Sequence, residues 1–141
     1  MIGGPALNWE TTDLAGKDFT LKELRGKVVI LDFWYRGCGW CIKAMPQINE
    51  VASHFKNEQV AVLGMNPHDT LEVASPVIKK LKLTYPSLKA EEITKDYKIL
   101  GFPTLLILDQ EGVIRDVHVG YSPTLKEEVI RSVESIMQAK R

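Results

Sequence analysis

The sequence predicts an α/β fold, and three observations carry that prediction. Residues 28–35, Val-Val-Ile-Leu-Asp-Phe-Trp-Tyr, form a near-continuous apolar run of the kind a strand covered on both faces requires. An amphipathic helical stretch over 38–55 and a second apolar run at Val60–Asn66 follow, completing a strand–helix–strand unit with an expected right-handed crossover. Further on, Thr104–Leu108 and residues 113–119 flank the turn-rich Asp109-Gln110-Glu111-Gly112, which reads as a hairpin.

The remaining elements follow in order. Residues 6–11 and 17–20 read as a short N-terminal hairpin turning through Asp13-Leu14-Ala15-Gly16, with Trp9 packing it onto the core. Residues 21–24 suit one helical turn before Arg25-Gly26-Lys27. In the 38–55 helix, Ile42, Met45, Ile48, Ala52 and Phe55 face inward. Pro46 removes an amide donor and crowds the carbonyl of Ile42, so a kink is expected there rather than an end. Residues 67–100 hold two amphipathic stretches, 75–81 and 91–97, around an extended piece at 86–88. Tyr85 and Tyr97 read as packing residues. Ser122 is placed as the cap of the last helix with Pro123 at its first position, and Leu125, Val129, Val133, Ile136 and Met137 form its apolar stripe. The 141 residues suit one domain, 1–141, with no repeat or linker.

Composition excludes some classes. Lysine plus arginine and aspartate plus glutamate number 18 each, so the chain has no general attraction for nucleic acid or anionic membrane. The basic pairs Lys79-Lys80 and Lys140-Arg141 read as solvated. No apolar run approaches the ~18 residues that span a bilayer. Residues 1–5 lack the charged and apolar regions of a signal peptide, so the protein is cytosolic or a leader or anchor has been trimmed.

The chemistry lies in Cys38-Gly39-Trp40-Cys41, which holds both cysteines of the chain. Two thiols are too few for a closed zinc site, and so short a loop makes a poor structural staple. Redox chemistry remains. A strand running through a tight turn into a helix puts Cys38 at the helix N-terminus, where free amides and the helix dipole stabilise a thiolate. Cys41, one turn inside, is more shielded. Cys38 is therefore expected to attack a partner's disulfide and Cys41 to resolve the mixed disulfide. Arg36 either adds a weak favourable charge or is a solvated loop cation. Asp32 interrupts the most apolar strand. Buried there, its pKa would rise and it could take a proton from Cys41; the alternative is a carboxylate reaching solvent at the strand's end. Pro103 alone is simply a strand-start proline.

Residues 28–41, Pro46 and 101–108 resemble the thioredoxin superfamily in order and spacing. Asp32-Phe33-Trp34 matches its strand end, Cys38 and Cys41 its dithiol, Pro46 its helix proline and Phe102-Pro103-Thr104 its cis-proline loop. The resemblance implies the thioredoxin fold, a central mixed β-sheet flanked by helices, with Pro103 cis and facing the dithiol. It also implies that the backbone at Phe102 pairs with bound substrate like an added strand. It places Trp34 beside the dithiol, as a substrate contact or simply a packing residue, while Trp40 adds a large ring at the rim as a further substrate contact. Leu7-Asn8-Trp9-Glu10, Gly16-Lys17 and the run from Leu21 to Lys27 resemble TlpA-like and ResA-like oxidoreductases, built on an AhpC/TSA-Redoxin-type domain with an insertion at about 67–100. That narrower resemblance implies a bacterial protein of the periplasm or cell envelope that reduces disulfides of apocytochromes or other envelope proteins. Four features depart from the pattern: Gly39-Trp40 lies between the cysteines, Gly37 stands where thioredoxins commonly have tryptophan, Ala44 replaces the ResA-like glutamate, and Val60–Asn66 contains no lysine.

The expected partners are protein thiols and disulfides and an upstream dithiol donor, with no cofactor besides the Cys38–Cys41 disulfide, no membrane insertion by this segment, and a monomeric state. His54 reads as a helix-end cation, His68 as a loop residue on the edge that could border the dithiol, and His118 as the polar face of an outer strand. Two competing functions are a peroxiredoxin-like peroxidase and a copper-handling module. The first needs a Thr-x-x-Cys, which is absent; the second typically uses wider cysteine spacing and a histidine ligand.

Overall fold

The computed structural model describes residues 1–139, so Lys140-Arg141 lies outside the described residues. Strand β3, Val28–Phe33, is the middle of a five-stranded mixed sheet, and all six of its residues are buried. On one side it pairs in parallel with β4, Val60–Asn66, and β4 in turn with β5, Ser87–Lys89. On the other it runs antiparallel to β6, Thr104–Leu108, which pairs with β7, Ile114–Val119. The N-terminal hairpin is present as β1, Glu10–Thr12, against β2, Asp18–Thr20, with a 3-10 turn at Lys22–Leu24.

The pleat sorts β3 between two cores. Val28, Ile30 and Trp34 join the core under helices α1, Gly39–His54, and α4, Leu125–Ala139. Val29, Leu31 and Phe33 join the core closed by Trp9, Leu21, Ile93 and Tyr97. Trp9 thus packs the N-terminal segment onto the sheet, and the Tyr97 hydroxyl donates to the carbonyl of Leu7 at 2.5 Å.

Helix α1 continues through Pro46 and buries Cys41, Ala44, Met45, Ile48 and Val51, followed by Phe55. Ile42 and Ala52 are only partly buried, because the inward stripe runs through Ala44 and Val51. Within the insertion, α2 spans Leu71–Lys80 and starts four residues before the stretch expected at 75–81. Thr70 caps it by accepting the Val73 amide at 3.3 Å, and Pro76 sits mid-helix. A short α3, Glu91–Asp96, follows β5.

At the β6–β7 turn, Asp109 accepts the amides of Glu111 and Val113 and the guanidinium of Arg115. Ser122 Oγ accepts the Thr124 amide at 3.2 Å, and α4 begins at Leu125, two residues later than the Pro123 start expected. His118 lies on the polar face of the outer strand β7, as expected, but α4 covers that face: the side chain is mostly buried, with Nε2 2.9 Å from Asp116. Among the described residues no helix is long and apolar enough to cross a membrane.

Candidate active site

Extended backbone persists one residue past β3, where the Trp34 amide donates to the Met65 carbonyl at 3.1 Å. Tyr35-Arg36-Gly37 then turns the chain into α1. Gly37 suits this turn because a Cβ there would come within 3.3 Å of the Tyr35 ring. Cys38 is the cap of α1, and its Sγ accepts the Cys41 amide at 3.2 Å. Cys38 and Cys41 form a disulfide, with their Cα atoms 5.2 Å apart. Cys38 keeps 8% of its surface exposed, whereas Cys41 is at 0%. In the reduced protein the same amide and the helix N-terminus favour negative charge on Cys38.

Two other loops hold this turn. Asp69 accepts the Arg36 amide at 2.6 Å and the Asn66 side-chain amide at 3.0 Å, while Asn66 accepts the amides of His68 and Asp69. The backbone of Arg36 is therefore engaged, and its side chain is solvated. The Tyr35 ring lies 5.0 Å from His68 and 5.1 Å, edge-on, from Phe102. The Phe102–Pro103 peptide is cis, and Pro103 accepts the Gly120 amide at 2.9 Å. Three segments distant in sequence thus meet at one aromatic contact chain. His68 borders the dithiol loop; His54, at the end of α1, packs on Phe55.

Asp32 lies between Gly64 on β4 and Leu105 on β6. It shares the parity of Ile30 and Trp34, so it faces the core that contains Cys41, Met45 and Tyr85. It is fully buried, which removes the solvent-reaching alternative. Its Oδ2 accepts the Tyr85 hydroxyl at 3.4 Å; its Oδ1 has no hydrogen-bond partner among the described residues. Burial pushes the carboxyl up to about 7, against the opposing pull of the Tyr85 hydrogen bond.

Trp34 requires a correction. It is fully buried, and its indole N–H donates to Ser87 Oγ at 3.0 Å, so it supports the strand end and presents no surface to a substrate. Trp40 is 59% exposed beside the dithiol, its ring 5.7 Å from that of Tyr121. Lys43 Nζ sits 5.2 Å from the Trp40 ring and 4.8 Å from Tyr121, a paired cation–π contact. Leu100, just before the cis-proline loop, is 94% exposed. Sequence reading missed Lys43, Tyr121 and Leu100; Tyr85 packs in the core as expected, but its hydroxyl contact to Asp32 was not foreseen.

Comparison with known proteins agrees with this geometry. The model of the AhpC/TSA family matches residues 2–117. Thiol-disulfide oxidoreductase ResA of Bacillus thuringiensis subsp. konkukian is 32% identical over 135 residues, covering 94% of this chain and 78% of that protein. Thioredoxin-like protein YneN of Bacillus subtilis is 31% identical over 123 residues, covering 84% of this chain and 71% of that one. The solved thioredoxin domain of a thiol-disulfide oxidoreductase from Bacteroides vulgatus superposes with TM-score 0.82 at 28% identity, covering 94% of this chain and 98% of that one. The chain belongs to the AhpC/TSA family. With its thioredoxin fold and paired cysteines, it is a ResA-like thiol–disulfide oxidoreductase.

Proposed function

We propose that this oxidoreductase works in the reducing direction, with the roles of its two cysteines set by their unequal exposure. Cys38, the accessible thiol at the helix N-terminus, attacks one sulfur of a substrate disulfide. A mixed disulfide forms and the first substrate thiolate leaves. Asp32 takes the proton from Cys41. The Cys41 thiolate then attacks Cys38 Sγ, closing the Cys38–Cys41 disulfide and releasing the second substrate thiolate. Two electrons pass to the substrate, and an upstream dithiol donor must return them before the next turnover.

Substrate is held around the cis-proline loop. The Phe102 backbone offers strand-like pairing to an extended segment, Pro103 shapes that loop, and Trp40 supplies an exposed apolar contact. The resemblance to TlpA-like and ResA-like proteins supports a bacterial envelope location, acting as a monomer, with apocytochromes or other envelope proteins as substrates.

Separate serine replacements test the assignment. Cys38→Ser should abolish turnover, and Cys41→Ser should accumulate a mixed disulfide visible as an added mass. Equal residual activity in the two variants would falsify the division of roles.

A further inference from the structure

We propose that Tyr85 is a positioning residue of the dithiol reaction: its hydroxyl holds Asp32 by Oδ2 and leaves Oδ1 as the oxygen that receives the Cys41 proton. The inference rests on the proposed role of Asp32 as proton acceptor.

The geometry supplies the argument. Asp32 is a fully buried carboxyl with two inequivalent oxygens. Oδ2 accepts the Tyr85 hydroxyl at 3.4 Å, and Oδ1 has no partner among the described residues. A buried, unpaired carboxylate oxygen is far more costly while charged than once protonated. The proton therefore belongs on Oδ1, and the Oδ2 contact fixes which oxygen that is. Tyr85 comes from the segment just before β5, 53 positions along the chain from Asp32, and is itself buried. Gly64, beside Asp32 on β4, has no side chain to compete for the carboxyl. No lysine lies on that strand to provide a charge instead.

The other groups facing this core leave Tyr85 as the hydrogen-bonding influence on Asp32. Strands β3 and β6 present Ile30, Trp34, Leu105 and Ile107; α4 presents Leu125, Val129 and Val133. Helix α1 contributes the dithiol itself, and Tyr35 and Tyr121 pack on the rim. Burial and the adjacent carboxyl push the Tyr85 phenol upward, so it stays a donor throughout. The step balances: Cys41–SH and the Asp32 carboxylate become the Cys41 thiolate and a carboxylic acid protonated at Oδ1. Tyr85 loses no proton; it favours the charged form of Asp32 before the transfer.

The test reads Asp32 directly. In the oxidised protein, where the cysteines do not titrate, the Asp32 carboxyl is followed by carbon-13 NMR in wild type and Tyr85→Phe. Loss of the hydroxyl should move its midpoint upward by about one pH unit. The pH inflection in the single-turnover rate of mixed-disulfide resolution should move with it. In wild type, the labelled Tyr85 ring carbon bearing oxygen should shift through the same midpoint as Asp32, a readout that requires no variant to fold. An unmoved Asp32 midpoint in Tyr85→Phe, or a Tyr85 signal blind to Asp32 ionisation, overturns the inference. Asp32→Asn separates it from the underlying reading: an inflection that persists there removes Asp32 as the acceptor, whatever Tyr85 does.

Discussion

The ring of Tyr35 meets that of Phe102 edge-on, 5.1 Å between centroids, and so joins the loop that precedes the dithiol to the loop that carries the cis-proline. His68 packs on the same tyrosine from the loop after β4, and Asp69 of that loop holds the Arg36 amide. The dithiol and the strand-pairing edge are thus set against each other by side chains as well as by the sheet. In the proposed binding mode a protein substrate engages both at once, whereas a small disulfide needs only Cys38.

That difference yields the first prediction. Tyr35→Ala should lower kcat/KM for a disulfide-bonded protein by about 3- to 10-fold, the worth of one or two aromatic contacts. Turnover of a small aromatic disulfide should change by less than about 2-fold, and Tyr35→Phe should match wild type for both. Equal losses on both substrates would instead place Tyr35 in the thiol chemistry.

Much of the site was legible because its signals are local. A strand leading into a helix puts Cys38 at an N-terminus, and a carboxylate inside an apolar strand marks Asp32 as anomalous. The contacts that depend on pairing between distant strands were not legible. Tyr85 reaches Asp32 only once β5 is laid beside β4, and nothing in Thr84-Tyr85-Pro86 announces that register. Trp34 could have been placed correctly by parity: two residues beyond Asp32, it must face the same buried side. The first turn of α2 lies outside the amphipathic stretch at 75–81, and its capping hydroxyl is Thr70.

Gly64 makes a second sharp case. A Cβ at this position would stand 2.4 Å from Ser87 Oγ and 2.8 Å from the Trp34 indole nitrogen. Gly64→Ala therefore has to displace the hydrogen-bonded pair behind Asp32, and overpacking of this kind costs about 1–3 kcal/mol. Urea unfolding of the oxidised protein should show that loss. Adding Ser87→Gly removes the nearest atom, so the double variant should lose less than the sum of the two single losses. Strict additivity would show that Ser87 is not the obstacle.

The last prediction follows from the burial of Asp32 and has a definite sign. Its carboxyl is raised from 3.8 to about 7, chiefly by desolvation. Between those values the native protein keeps a proton that the unfolded chain has released. Asp32's contribution to native stability must therefore fall as pH rises from about 4 to about 7 and then level off. The full span is on the order of 4 kcal/mol. Asp32→Asn keeps the size and polarity of the side chain but cannot ionise, so it should gain stability relative to wild type across that window. Other carboxyls titrate alike in both proteins and cancel in the difference. Asp109 is one of them: burial alone would raise it, but the Val113 and Glu111 amides and Arg115 hold it below the usual range. Denaturant unfolding of the two oxidised proteins at pH 4 and pH 8 reads the effect. The stability of Asp32→Asn relative to wild type should be higher by several kcal/mol at the higher pH. The same difference at both pH values, within about 1 kcal/mol, would mean that Asp32 ionises without resistance from its surroundings. A carboxylate so easily charged would be a poor proton acceptor for Cys41.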